Sequence, residues 1–402
     1  MASIVVTGYM IRHPLAGNMF AYFHYLLGLK RLGHEVLYLE ESGWPGACYD
    51  PLAQRYSDDP SQGIARLARL FRRYDLDIPV CYVNRDSGAS FGLARGNLET
   101  VLSQADLLLN LGGVCALPEF QLVRRRAFLD MDPLFTQAGR FAGEDLQDYH
   151  VHFSYGTSIG QPGCSVPSCG IEWLPAVPPV VPEIWAGRSP PGPEGGSAAS
   201  ARRPLTTIAN WSAYGGICCG GEHYGQKDEE FLRFLELPRR TGQALELALA
   251  GAGDDVKQRL RSAGWSIRDA GQVSLEIDGY RDYIIGSRGE FSAAKHAYVK
   301  TRSGWFSDRS VCYLAAARPV IVQDTGVGSW LPRGQGVHLF ASLQEALECI
   351  DAVNANYAAQ RRAAAELAQD VFAYRVVLPR LLELALAALP QAPAAAKRET
   401  AG

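Results

Sequence analysis

Four short segments of this 402-residue chain carry residue types that do chemistry, and each follows a strand-like run. The first, HPLAGN over 13–18, holds His13 and Gly17. A neutral imidazole there could take a proton from an acceptor hydroxyl near neutral pH. The helix start beyond it would turn backbone N–H groups toward a phosphate or sugar. The competing reading is a plain strand-to-helix turn with a structural histidine. The second, WSAYGGICCGGEHYGQK over 211–227, opens on Trp211, is rich in glycine and ends on Lys227. Its glycines allow close backbone approach, and the Lys227 ammonium could offset charge on a leaving diphosphate. A flexible surface loop is the alternative, which Trp211, Tyr214 and Tyr224 argue against.

The third begins SRGEFSAAKHAYVK at 287 with Glu290, and continues into SGWFSDRSVCYLAAARPVIV. Ser307 and Asp308 fit a helix N-cap with Arg309 and Ser310 in the first turn. Hydroxyls, backbone N–H groups and a guanidinium would then converge on one point, which suits a diphosphate. The bland alternative is an ordinarily capped helix with an exposed arginine. The fourth, Gln323-Asp324-Thr325-Gly326, ends the next strand. Its short polar side chains could hold sugar hydroxyls, or it is simply a tight turn.

Two look-alikes point elsewhere. Asp130-Met131-Asp132 has the spacing of a paired-carboxylate metal site, but Pro133 follows and the triplet reads as a strand end. Cys164 and Cys169 are spaced unlike zinc ligands and have no histidine pair after them, while His150 and His152 alternate as on a strand. No metal and no cofactor are expected.

The elements that must position these segments alternate regularly. SIVVTGYM, a helix over 20–32 closed by Gly33, and HEVLYLEES make a strand–helix–strand opening. IPVCYV, a helix over 97–104, ADLLLNLGG and RRRAFLDMDP extend it. The second half repeats the pattern with RPLTTIANW, a helix over 227–235, ALELALAG, a helix over 254–263, WSIRDA, YIIGSRGEFS, a helix over 308–317 and RPVIVQDTG. Such alternation predicts parallel sheets covered on both faces by helices, with ligands beyond the carboxyl ends of the strands. The boundaries expected are an N-terminal Rossmann-like domain over 1–187 and a linker over 188–203, where RSPPGPEGGSAASARR has almost nothing to bury. A C-terminal Rossmann-like domain over 204–355 follows, then helices over 356–389 that cross back to the first domain, and a disordered tail over 390–402. The long Ala/Leu-rich helical run from Leu343 is expected to break near Tyr374.

Hydrophobic residues at 47%, charged at 20% and aromatic at 10% are an ordinary globular balance and exclude disordered, collagenous and heptad-repeat chains. A net charge of −3 argues against nucleic acid as a partner. Nine cysteines without a Cys-x-x-Cys predict reduced thiols and a cytoplasmic setting. The opening MASIVVTGYM lacks a basic stretch before a short apolar run, so neither secretion nor a membrane span is expected.

The Gly17 loop, its helix and Gly33-His34-Glu35-Val36 resemble the acceptor half of a GT-B glycosyltransferase, and SGWFSDRSVCYLAAARPVIVQDTG is similar to the donor half. WSAYGG…YGQKDEEF and GEFSAAKHAYVKTRSGWFSDRS resemble a bacterial branch met among uncharacterised and antibiotic-pathway members. The resemblance implies two Rossmann-like domains facing a central cleft. It also implies metal-independent transfer of a sugar from a nucleoside diphosphate donor to a hydroxyl of a soluble small molecule. Lys227 and His13 would be catalytic, with Gly17, Trp211, Glu290, Ser307, Asp308, Arg309, Ser310, Asp324, Thr325 and Gly326 on the donor. Cys312 stands where many of these enzymes have a ribose-binding glutamate, and Asp308 or Glu290 would substitute. A sugar-nucleotide epimerase of the same architecture, or a non-catalytic two-lobed sugar-binding protein, are the alternatives.

Overall fold

The computed structural model describes residues 1–140, 146–186 and 203–387. The first half supplies, in chain order, β1 (Ser3–Thr7), β2 (Glu35–Glu41), a hairpin of β3 (Cys48–Asp50) and β4 (Arg55–Ser57), β5 (Val80–Val83), β6 (Ser90–Gly92), β7 (Leu107–Leu111), β8 (Arg126–Asp130), β9 (Val151–Ser154) and β10 (Trp173–Pro175). Eight of these form one sheet in the order β10-β9-β8-β7-β1-β2-β5-β6. Its ladder is parallel except at the edge, where β6 runs antiparallel to β5. The central strands β1 and β7 are buried almost throughout, which is why both read as unbroken apolar runs.

The second half supplies β11 (Leu205–Asn210), a hairpin of β12 (Ile217–Cys219) and β13 (Glu222–Tyr224), β14 (Leu245–Ala250), β15 (Ser266–Asp269), β16 (Gly289–Ser292), β17 (Val320–Gln323) and β18 (Val337–Phe340). Its sheet is all parallel in the order β15-β14-β11-β16-β17-β18. In both sheets the chain winds outward from the first strand one way and then the other. The direction reverses between β1 and β7 in one and between β11 and β16 in the other, and ligands bind at such reversals.

Helix α1 (Ala16–Arg31) joins the halves, and its burial on most sides explains its weak amphipathicity. It packs on the helix Tyr374–Leu386, so the end of the described chain returns to the first half. One apolar cluster runs from α1 through Trp185, Tyr280 and Phe306 to Phe372. The long C-terminal helical run is three helices, Leu343–Ala355, Tyr357–Asp370 and Tyr374–Leu386, with breaks at Asn356 and before Tyr374. YIIGSRGEFS divides between the end of the helix Ile277–Gly286 and β16. The expected tail lies outside the described residues, as does the expected linker apart from Arg203. No helix among the described residues is long and apolar enough to cross a membrane.

Candidate functional site

The two reversals face each other across a cleft of about 520 Å³. Tyr9 and Gly112 follow β1 and β7 on one wall, and Asn210 ends β11 on the other. Five of the residues expected to be catalytic or donor-binding line this cleft: Gly17, Lys227, Ser307, Asp308 and Arg309.

Lys227 begins the helix Lys227–Arg233. Among the described residues its ammonium has no carboxylate within ion-pair distance. Burial, and after it the Arg309 guanidinium, hold its pKa well below the ordinary value, while Glu290 and Asp308 pull the other way. A desolvated cation beside another cation is stabilised by an incoming anion.

Arg309 stands in the first turn of the helix Asp308–Ala315, where Ser307 caps by accepting from the Arg309 N–H at 3.2 Å. Its guanidinium is already committed. Nε donates to Glu290 Oε1 at 2.7 Å, Nη1 to the Ile208 carbonyl at 2.8 Å and Nη2 to Ser292 Oγ at 2.8 Å. Glu290 is fully buried behind it and does not line the cleft, so its expected contact with donor is corrected: it neutralises Arg309 instead. Burial works to lower the Arg309 pKa, but Glu290 above all pushes it up, and Lys227 carries the cleft's uncompensated charge.

Of the other expected residues, all but Gly17 sit away from the cleft lining. His13 is stacked between Tyr9, at 5.7 Å, and Tyr49, at 5.4 Å, outside the cleft wall. Burial lowers its pKa, and the ring packs into the β1–α1 loop. Trp211 is a core residue stacked on Phe231 at 5.9 Å. Gly17 lines the cleft from the first half, and its role is close approach: a Cβ there would come 3.2 Å from Tyr280 Cε2. Ser310 and Thr325 border a separate cavity of about 20 Å³, large enough for a water but not for a base or sugar. Asp324 accepts from the Gly326 N–H at 2.8 Å, and Ser158 of the first half donates to the Gly326 carbonyl at 2.8 Å. The Asp324–Gly326 turn is therefore joinery between the halves. Cys312 turns inward, its Sγ 3.8 Å from His24 Nε2, which leaves Asp308 as the carboxylate exposed to the cleft at this helix.

What the sequence reading passed over is the centre of the cleft. Asp132, read as a strand end, lies across from the second half and accepts from Lys295 Nζ at 2.8 Å on both carboxylate oxygens. The hydroxyls of Tyr214 and Tyr298 donate to the same carboxylate. Burial lowers the Lys295 pKa, and Asp132 partly restores it. Position carried the available signal, because Asp132 follows β8 and Lys295 follows β16, both at carboxyl ends of parallel strands.

No known family profile matches this chain, and no curated protein matches it. Among solved structures it is similar to an alpha-glucosyltransferase in complex with UDP and a 13-mer DNA containing a central A:G mismatch. The identity is 9% and the TM-score 0.58, over 96% of this chain and 100% of that one. It is also similar to HepE of Anabaena in complex with UDP and glucose, at 10% identity and TM-score 0.58, over 96% of this chain and 99% of that one. At these identities the likeness is one of fold, and the fold is GT-B.

The first of these neighbours corrects one expectation. Net charge argued against nucleic acid as a partner, yet this architecture is seen there holding DNA together with UDP. A whole-chain charge of −3 does not decide what one face can bind, because the local potential of that face does.

Proposed function

We propose that the protein is a glycosyltransferase that moves a sugar from a nucleoside diphosphate donor, with UDP the first nucleotide to test, to an acceptor hydroxyl. The observation that carries this reading is the Lys227 ammonium, desolvated in the cleft and without an anionic partner among the described residues. Lys227 offsets the charge that develops on the leaving diphosphate, and the start of the helix Asp308–Ala315 adds to that field. No metal at the diphosphate is needed for this. Asp308 holds donor hydroxyls in place of the glutamate that Cys312 replaces. Asp132, in the cleft, is the carboxylate placed to take the acceptor proton once the acceptor hydroxyl displaces one of its present donors, Lys295, Tyr214 or Tyr298.

The fold likeness to structures holding UDP and UDP-glucose supports the donor class. A small-molecule acceptor in a bacterial natural-product pathway rests on the sequence resemblance, and nine free cysteines support a cytoplasmic setting. The test is UDP release from UDP-sugars by the metal-free protein, with hydroxylated small molecules and hydroxymethylated DNA as separate acceptor arms. Release that requires an acceptor, together with a glycosylated product, supports transfer. Conversion of the donor without any acceptor would instead indicate the epimerase. No thermal shift with any nucleotide would overturn the donor site, since a ligand at about 100 times its Kd adds about 2.7 kcal/mol.

A further inference from the structure

Beside the cleft, but not lining it, three side chains from three elements turn toward one point. They are His223 on β13, Glu229 in the helix Lys227–Arg233, and His296 at the start of the helix His296–Thr301. Glu229 spans the two imidazoles, with Oε1 2.7 Å from His223 Nε2 and Oε2 3.4 Å from His296 Nδ1. One ligand atom from each residue lies within 4.8 Å of the other two. The backbone makes room for them: a Cβ on Gly216 would come 2.7 Å from His223 Cε1, and one on Gly225 would come 1.7 Å from Glu229 Oε1.

The geometry points to a binding site for a divalent transition-metal ion of the zinc class, held by His223, Glu229 and His296 and completed by water. Two imidazoles and one carboxylate are a donor set that Zn²⁺ takes with ligand bonds of about 2.0–2.2 Å. His223 and Glu229 are exposed, which leaves the fourth position to solvent. His296 Nδ1 now accepts the Gly225 N–H at 3.1 Å, so its lone pair is held by the backbone. Ligation exchanges that hydrogen bond for a metal–nitrogen bond.

The ion is a staple and takes no part in the transfer chemistry. It ties the β12–β13 hairpin to two helices whose starts carry the cleft cations, Lys227 two residues before Glu229 and Lys295 immediately before His296. Binding it restricts the hairpin and fixes the spacing of those two ammonium groups.

The test is titration of Co²⁺ into the chelator-stripped full chain without any sugar donor, followed by displacement with Zn²⁺, so the result stands apart from transferase activity. One equivalent is expected to bind with a visible ligand-field spectrum. Glu229→Gln and His296→Ala are each expected to weaken binding at least as much as losing an outer-shell partner does, about 10–100-fold. Cys218→Ser with Cys219→Ser, which removes the thiols of the same hairpin, is expected to leave it unchanged. Circular dichroism shows whether each variant is folded, and His223→Gln serves if His296→Ala is not. Uptake equal in wild type and the ligand variants, uptake lost with the cysteines, or only a proton shared between the two histidines would each overturn the site.

Discussion

Asp132 and Lys295 meet across the cleft at 2.8 Å, the aspartate just after β8 of the first sheet and the lysine just after β16 of the second. Their side chains are 32% and 13% exposed, so the pair is neither a free surface contact nor a sealed core ion pair. It holds the two walls together at the point where donor and acceptor would meet. Asp132→Asn removes the charge and keeps the shape, leaving the Lys295 ammonium crowded and unpaired. The expected cost is about 1–3 kcal/mol of stability, the usual penalty for orphaning one member of a charged hydrogen bond. Transfer is expected to be lost, because the proton acceptor is gone. Urea unfolding of Asp132→Asn, Lys295→Met and the double variant measures this, and additive effects of the two single changes would mean that the pair is not coupled.

Lys227 gives a signed pH dependence. Its pKa is held below the ordinary 10.5 by burial and Arg309, and a bound diphosphate would raise it again. Donor affinity is therefore expected to be full below the depressed pKa of the free protein. It falls as pH rises through that value, with proton uptake on binding inside the window. Calorimetry in buffers of different ionisation enthalpy reads the uptake directly. A pH-independent Kd with no proton exchange would remove Lys227 from the diphosphate.

The same residue is expected to trade stability for binding. An unpaired ammonium in a crowded site opposes folding at every pH below its lowered pKa, because the unfolded chain solvates the charge at no such cost. Lys227→Met is expected to stabilise the unliganded protein by about 1 kcal/mol while weakening UDP by about 10–100-fold. Thermal melts with and without UDP check both, and a destabilised variant would show that the ammonium has a partner in the folded state.

Arg309 is a poor single-site probe of the donor, because it and Glu290 neutralise each other behind the cleft wall. Arg309→Ala leaves the Glu290 carboxylate buried without its cation, which is expected to cost about 3–5 kcal/mol. Removing both charges, as Arg309→Met with Glu290→Gln, is expected to recover most of that loss. If the single and double variants melt alike, the pair does not support the helix start.

Much of the architecture is legible in the chain because local rules and the global fold agree. Strands such as SIVVT and LLLNL, buried on both faces, read as continuous apolar runs, and Gly33 with φ +85° closes α1 where a glycine was expected to. Ser307 was readable as a cap, and Lys227 as a cation after a glycine-rich loop. What local pattern could not carry is which charges cancel and which stay free. Arg309 and Glu290, 19 residues apart, neutralise each other, while Asp132 and Lys295, 163 apart, join the halves. Each residue alone reads as an ordinary strand end or helix start. His13 fell the same way, its ring taken into a stack with Tyr49 of the β3–β4 hairpin rather than turned to the cleft. Sequence alone determined most of the elements, because hydrophobic period and capping act within a few residues. Tertiary structure alone decided the site, because a charge's worth depends on what the strand order brings within a few ångströms of it.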